Sequence, residues 1–191
     1  MIDTVDYLIQ LINTGLGLSP ISGFRYTLSE EQWVELLGEA TAQGMLPVTI
    51  AAIEMLPEES RPWSKEIRQK YLLAEKFSSD YKHRVDVLKK LAFIFAEHGL
   101  DVMIMKGVSL SLRYPDPTKR VFSDIDYYLY GKSAEGENDL AETGLESRDY
   151  YHHHSQSVME QVLLENHYDF FDRSNHKCNH ILDDALKKLA D

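Results

Sequence analysis

From Ser64 to His98 the chain contains neither proline nor glycine, and its apolar residues recur every three or four positions. Ile67, Tyr71, Ala74, Phe77, Tyr81, Val85, Leu88, Leu91, Ala92 and Phe95 follow that spacing, which is the signature of one face of an α-helix. Ser64 supplies an N-cap and Gly99 a stop. The expectation is a single helix over 64–98, about 50 Å long at ~1.5 Å per residue, long enough to join two subdomains. The Ser78-Ser79 pair is the one place where it could break. After Gly99 the three-four rhythm disappears. The chain therefore divides near Gly99 into a helical region, 1–98, and a region of strands and short helices, 99–191.

The helical region has further punctuation of the same kind. Asp3 to about Thr14 places Val5, Leu8, Ile9 and Ile12 at helical spacing, and Gly15 and Gly17 end the run. Residues 20–27 read as a loop. Ser29 followed by Gln32 has the form of a capping box, ahead of the stripe Trp33, Leu36, Leu37 and Ala40. Gly44 stops that helix, and Pro47 suits the first turn of the next, which runs through Ile50, Ile53 and Met55 to Pro57.

Beyond Gly99, residues 100–105 read as a buried strand, 108–113 as a short helix, and Tyr114-Pro115-Asp116-Pro117 as a turn. Residues 122–130 are rich in β-formers and carry Asp124 and Asp126. Residues 133–143 read as a short helix or loop. Two extended segments, 147–155 and 158–171, follow, with the turn between them at Ser155 to Ser157. Residues 179–190 form a final amphipathic helix. The fold class is α+β, a helical N-terminal region packed on a small mixed β-sheet.

The chemistry concentrates in Lys106 to Tyr130. Side chains two apart on a strand share a face, so Asp124-Ile125-Asp126 aims two carboxylates one way and Ile125 the other. Their mutual repulsion is relieved by a divalent cation, and hard oxygen ligands suit Mg²⁺. Lys106-Gly107 closes an apolar run at the start of a short helix, a place to hold phosphate. A third carboxylate is available from Glu165, which shares a strand face with Leu163, His167 and Asp169, while Val162, Leu164 and Asn166 share the other. A strand pairing beside the aspartates brings Glu165 to the site; otherwise Glu165, His167 and Asp169 form a solvated face. Lys106 reads either as a phosphate contact or as a solvated strand-end charge. Arg120 reads either as a phosphate contact or as a structural partner of Asp124 or Asp126.

Composition narrows the partners. The net charge of −11 over 191 residues argues against binding a long nucleic-acid backbone without help, but leaves room for a nucleotide held by a local cluster of cations. A single cysteine, Cys178, excludes an internal disulfide. The longest apolar run, 91–96, is far short of the ~20 residues of a membrane span, and Asp3 and Asp6 stand where a signal peptide is basic. A soluble cytoplasmic protein is the expectation. Among the histidines, His152, His153 and His154 alternate faces if extended, so at most two reach one ion. His176, Cys178 and His180 include zinc-ligand types without a regular zinc motif.

The order of apolar strand, Lys106-Gly107, short helix, Tyr114-Pro115-Asp116-Pro117, Arg120, Ser123-Asp124-Ile125-Asp126 and later Glu165-x-His167 resembles the uncharacterised nucleotidyltransferase family, a branch of the polymerase-beta-like nucleotidyltransferase superfamily. The resemblance covers roughly residues 100–171. It implies a nucleotidyltransferase-like topology for residues 99–191 and a metal site of Asp124, Asp126 and Glu165, with Glu165 helping to activate the attacking hydroxyl. It also implies nucleotide contacts from Lys106, Gly107, Ser109 and Arg120. His167, on the strand face of Glu165, reads as a residue behind the metal ligands or a substrate contact rather than as a zinc ligand. The implied cofactor is Mg²⁺ or Mn²⁺, and the implied substrate a nucleoside triphosphate such as ATP. The acceptor, a hydroxyl on a small molecule or protein rather than on nucleic acid, stays unidentified. The superfamily has Gly-Gly or Gly-Ser where this chain has Gly107-Val108, and the Tyr-Pro-Asp-Pro turn lengthens the path from Gly107 to Asp124. Those departures leave a second reading open, a nucleotide-binding or regulatory module of the same fold without turnover.

Overall fold

The computed structural model describes residues 4–21 and 28–190. The chain forms two compact units: Met1–Lys82 with Ser111–Phe122, and His83–Leu110 with Ser123–Asp191. Among the described residues there are seven α-helices and one five-stranded sheet. The sequence boundary at Gly99 marks where helical spacing ends, whereas the compact units divide inside the long helix. No helix of the described residues is long and apolar enough to cross a membrane.

The first unit holds α1 (Thr4–Gly15), α2 (Glu30–Ala42), α3 (Leu46–Glu54) and the first part of α4 (Lys65–Glu97). The capping box at α2 forms as its residues require: Gln32 N–H donates to Ser29 Oγ at 3.3 Å, and Ser29 N–H donates to Gln32 Oε1 at 2.9 Å. Trp33, Leu36, Leu37 and Ala40 are buried as the stripe requires, and Pro47 sits in the first turn of α3. On α1 the buried face is Tyr7, Leu8, Leu11 and Thr14, with Val5 and Ile9 exposed. The expected stripe is thus rotated. The cause is the approach of α3, close enough that a Cβ on Gly15 would lie 2.3 Å from the Val48 carbonyl oxygen. Of the expected loop over 20–27, residues 22–27 lie outside the described residues. The helix α4 runs through Ser78-Ser79 unbroken. Within this unit Tyr81 reaches the returning segment, with its hydroxyl 3.0 Å from Ser111 Oγ and its ring edge-on to Phe122.

The second unit is built on the sheet, whose strand order is β1-β2-β5-β4-β3. The strands are β1 (Met103–Met105), β2 (Asp124–Tyr128), β3 (Asp149–Tyr150), β4 (His154–Met159) and β5 (Val162–His167). The β2–β5 pair is parallel and the others antiparallel, so the sheet is mixed. One face is apolar: Ile125, Tyr127, Val162, Leu164 and Met159 pack with Val87, Leu91 and Phe95 of α4 and Leu140 of α6 (Ser133–Glu142). Burial of apolar surface, worth about 25 cal/mol per Å², makes that face a source of this unit's cohesion. On α4 it is Val87 that is buried here, with Val85 only half-buried.

The strand boundaries differ from expectation at the hairpin. The reversal is at Glu160-Gln161, between β4 and β5, and Ser155 to Ser157 lie inside β4. Both turn residues take positive φ, 49° and 67°, a conformation normally given to Asn and Gly. Partners on α4 compensate: His83 Nε2 lies 2.9 Å from the Glu160 carbonyl oxygen, and Lys90 pairs with the Glu160 carboxylate. Glu160 is therefore a turn residue whose carboxylate is taken up by Lys90.

Candidate active site

The opposite face of the sheet is polar, and its register follows from alternation. Asp126 stands across from Glu165 in the parallel β2–β5 pair, and Tyr128 across from His167. In the antiparallel β4–β5 pair, Gln156 faces Glu165 and His154 faces His167. Asp124, two residues before Asp126, opens β2 on the same face. The one side of the sheet thus presents Asp124, Asp126, Glu165, His167, Gln156 and His154, while the core holds their sequence neighbours.

The side chains converge on Asp126, which is 2 % exposed. Its Oδ1 accepts from Lys106 Nζ at 2.6 Å and from His167 Nε2 at 2.9 Å. Burial by itself would push the Asp126 carboxyl up. The His167 and Lys106 hydrogen bonds, with the positive charge behind them, outweigh it and hold the group below the usual carboxylate range. Lys106 follows Met105, the residue across from Asp126 in the β1–β2 pair. A left-handed backbone at Lys106, φ 48°, turns the chain from β1 into α5 (Gly107–Ser111). That turn is what brings a lysine at a strand end back over the aspartate. Ser109 Oγ donates to the Lys106 carbonyl at 2.7 Å, bracing the same corner, and Gly107 is buried beside it.

Glu165 is half-buried, with Oε1 accepting from Gln156 Nε2 at 2.8 Å and Oε2 lying 3.5 Å from His167 Nε2. Ligand atoms of Asp126, Glu165 and His167 lie within 4.8 Å of one another. This donor set, two carboxylates in register beside one imidazole, fits a divalent cation, and the Lys106 ammonium supplies the local positive charge. Asp124 shares the strand face but is not a member of that cluster. Arg120 lies in the first unit, where it caps the 3₁₀ turn Pro117–Lys119.

Sequence reasoning missed His153 and His154 as neighbours of the site. His154 Nε2 is 3.7 Å from Glu165 Oε1, and His154 Nδ1 is 3.2 Å from His153 Nε2. Ring nitrogens of His153, His154 and His167 lie within 4.8 Å of one another. Burial pushes the imidazoles of His153 and His154 down, which favours their neutral forms. The signal that would have found them is the β4–β5 register, hidden by the unusual turn residues Glu160-Gln161. His176, Cys178 and His180 are exposed and join no such cluster among the described residues.

The family model described as "Uncharacterised nucleotidyltransferase" matches residues 29–191. No curated protein and no solved structure matches the chain.

Proposed function

The chain belongs to the family of uncharacterised nucleotidyltransferases, and from that premise we propose that it transfers a nucleoside monophosphate from a nucleoside triphosphate to a hydroxyl of an acceptor, with Mg²⁺ or Mn²⁺ bound. The observation that carries this reading is the register of Asp126 with Glu165 on neighbouring parallel strands, with Asp124 on the same face. Asp124, Asp126 and Glu165 would hold the metal. When bound, it would polarise the phosphoryl oxygens and offset charge developing at the attacking and leaving oxygens.

The chain's own groups divide the remaining work. Asp126 is kept ionised by His167 and Lys106, which is the state a cation ligand needs. Glu165, steadied by Gln156, would accept the proton of the attacking hydroxyl. As the hydroxyl oxygen bonds to the α-phosphorus, the bond to the bridging oxygen breaks and pyrophosphate leaves. Lys106, whose side chain is 61 % exposed, is free to swing from Asp126 to a triphosphate. Gly107 and Ser109 stand at the same corner, where backbone and hydroxyl would contact the phosphates. The acidic net charge of −11 favours a small molecule or protein as acceptor over a nucleic acid.

The test titrates each nucleoside triphosphate with Mg²⁺ or Mn²⁺ and follows pyrophosphate release for wild type and Asp126→Asn. The expected result is metal-dependent binding and release in the wild type. The variant should lose at least about a hundredfold, or ~2.7 kcal/mol of transition-state stabilisation. Binding without release in any acceptor mixture supports the regulatory-module reading. Absence of metal-dependent nucleotide binding refutes both.

A further inference from the structure

We propose that His153, His154 and His167 form a second metal site, adjoining the carboxylate centre and selective for a borderline divalent ion of the zinc class. This goes beyond nucleotidyl transfer and does not rest on it. The chain joins two donor sets of different hardness on one sheet face, carboxylates at Asp126 and Glu165 and imidazoles across β4 and β5. Imidazole favours Zn²⁺ and its neighbours, whereas carboxylates suit Mg²⁺.

Three observations converge. First, ring nitrogens of the three histidines lie within 4.8 Å of one another, and the closest pair, His154 Nδ1 and His153 Nε2, is 3.2 Å apart. Ligands at ~2.0–2.1 Å from a tetrahedral zinc are separated by about 3.3 Å. Second, His167 directs Nε2 at the Asp126 carboxylate, 2.9 Å from Oδ1, which leaves Nδ1 as the ring nitrogen open to another ligand. That atom is buried and has no hydrogen-bond partner. A buried ring nitrogen without a partner is costly, and a metal bond would satisfy it. An imidazole held by a carboxylate on its far nitrogen is also the arrangement that orients a histidine for zinc.

Third, the backbone fixes the cluster before any ion arrives. His154 and His167 are direct partners in the β4–β5 register. The His153 carbonyl accepts from Tyr168 and Asp169 N–H at 3.1 and 3.3 Å, and the Tyr151 ring stacks on His154 at 4.7 Å. Three imidazoles leave a fourth position open, as in zinc sites that bind water or substrate.

The experiment uses the full chain, stripped of metal and titrated with Zn²⁺ against a chromophoric chelator at neutral pH with millimolar Mg²⁺ present. The wild type is expected to take up one equivalent of Zn²⁺ tightly. His153→Ala and His154→Ala should each weaken it by roughly a hundredfold or more, whereas the exposed neighbour variant His152→Ala should leave it within about twofold. Co²⁺ in place of Zn²⁺ should give the visible absorption of a tetrahedral, nitrogen-ligated ion, lost in His153→Ala. Melting curves verify that the variants are folded; His153 is only half-buried, so that variant keeps the test decisive if His154→Ala unfolds. Equal weakening by His152→Ala, or equal affinity in the urea-unfolded chain, would mean chelation by the three consecutive histidines and would overturn the proposal. So would wild-type affinity in His153→Ala.

Discussion

The carboxylate of Asp183 ties the last helix to the segment after β5, and replacing it with alanine gives a stability change that can be worked out from its contacts. Asp183 lies on α7 (Asn179–Ala190) with a fully buried side chain. Its Oδ1 accepts from Phe170 N–H at 2.6 Å and Phe171 N–H at 3.4 Å, and its Oδ2 lies 3.0 Å from Lys187 Nζ. A hydrogen bond to a charged group is worth about 1.5–3 kcal/mol. Arg173 Nε also lies 3.4 Å from Oδ2. The larger cost of about 3–5 kcal/mol for orphaning a buried charge is not reached, because Lys187 retains Asp169 and Arg173 retains Asp184 as partners. Asp183→Ala should therefore destabilise the second unit by about 2–3 kcal/mol, and Asp183→Asn, which keeps an acceptor for Phe170, by about half of that. Trp33 and Trp63 both lie in the first unit, so tryptophan fluorescence reports the wrong part of the chain. Amide exchange at Leu164 and Asn166 of β5 is the appropriate assay. The pH dependence has a definite sign. Burial alone would raise the Asp183 carboxyl, but the Lys187 and Phe170 hydrogen bonds bring it below its ordinary value. Its contribution is then fully present above the unfolded carboxyl value of about 3.9 and is lost as pH falls through the lower folded value. A difference between wild type and Asp183→Ala below ~0.5 kcal/mol at pH 7, or one that grows on acidification, refutes the reasoning.

Two further expectations concern the site corner and the hairpin. Lys106 occupies Asp126 Oδ1 as a rival to any cation, but with a side chain 61 % exposed the pair is worth at most about 1 kcal/mol. Lys106→Ala should raise Mn²⁺ affinity without nucleotide by up to about fivefold while weakening triphosphate binding. A calorimetric titration in which both affinities fall would exclude the competition. At the β4–β5 turn, Gln161→Gly relieves a left-handed backbone, φ 67°, that costs a side-chain-bearing residue roughly 1–2 kcal/mol. The variant should be more stable by about 1 kcal/mol in urea unfolding followed at β5, and a loss of stability there would show that the turn is not strained.

What the sequence discloses here depends on whether a local rule was obeyed. The capping box at Ser29, the stop at Gly99 and the unbroken α4 follow the usual residue preferences, and the structure has them where the residues imply. Ile125 and Leu164 alternate with Asp126 and Glu165, so the division of the sheet into core and polar faces was also legible. The neighbour relation between β2 and β5 was not written in any periodicity, since a strand order of β1-β2-β5-β4-β3 skips the strands next in sequence. Only the resemblance to a family pattern, with its late third carboxylate, pointed to it. The hairpin was misplaced because Glu160-Gln161 does the work of Asn-Gly, with stabilisation arriving from His83 and Lys90 nearly eighty residues earlier in the chain in one case. That displacement had a consequence for chemistry. Treating His152, His153 and His154 as one extended run puts successive rings on opposite faces, which forbids a shared ion for neighbours. In the structure His152 and His153 lie in a bend and only His154 is in β4. The alternation rule ends at that bend, and so the rings of His153 and His154 approach to 4.5 Å between centroids beside His167. The β4–β5 register places His154 beside His167, and the bend before β4 adds His153, so the two together gather the imidazoles next to the carboxylates.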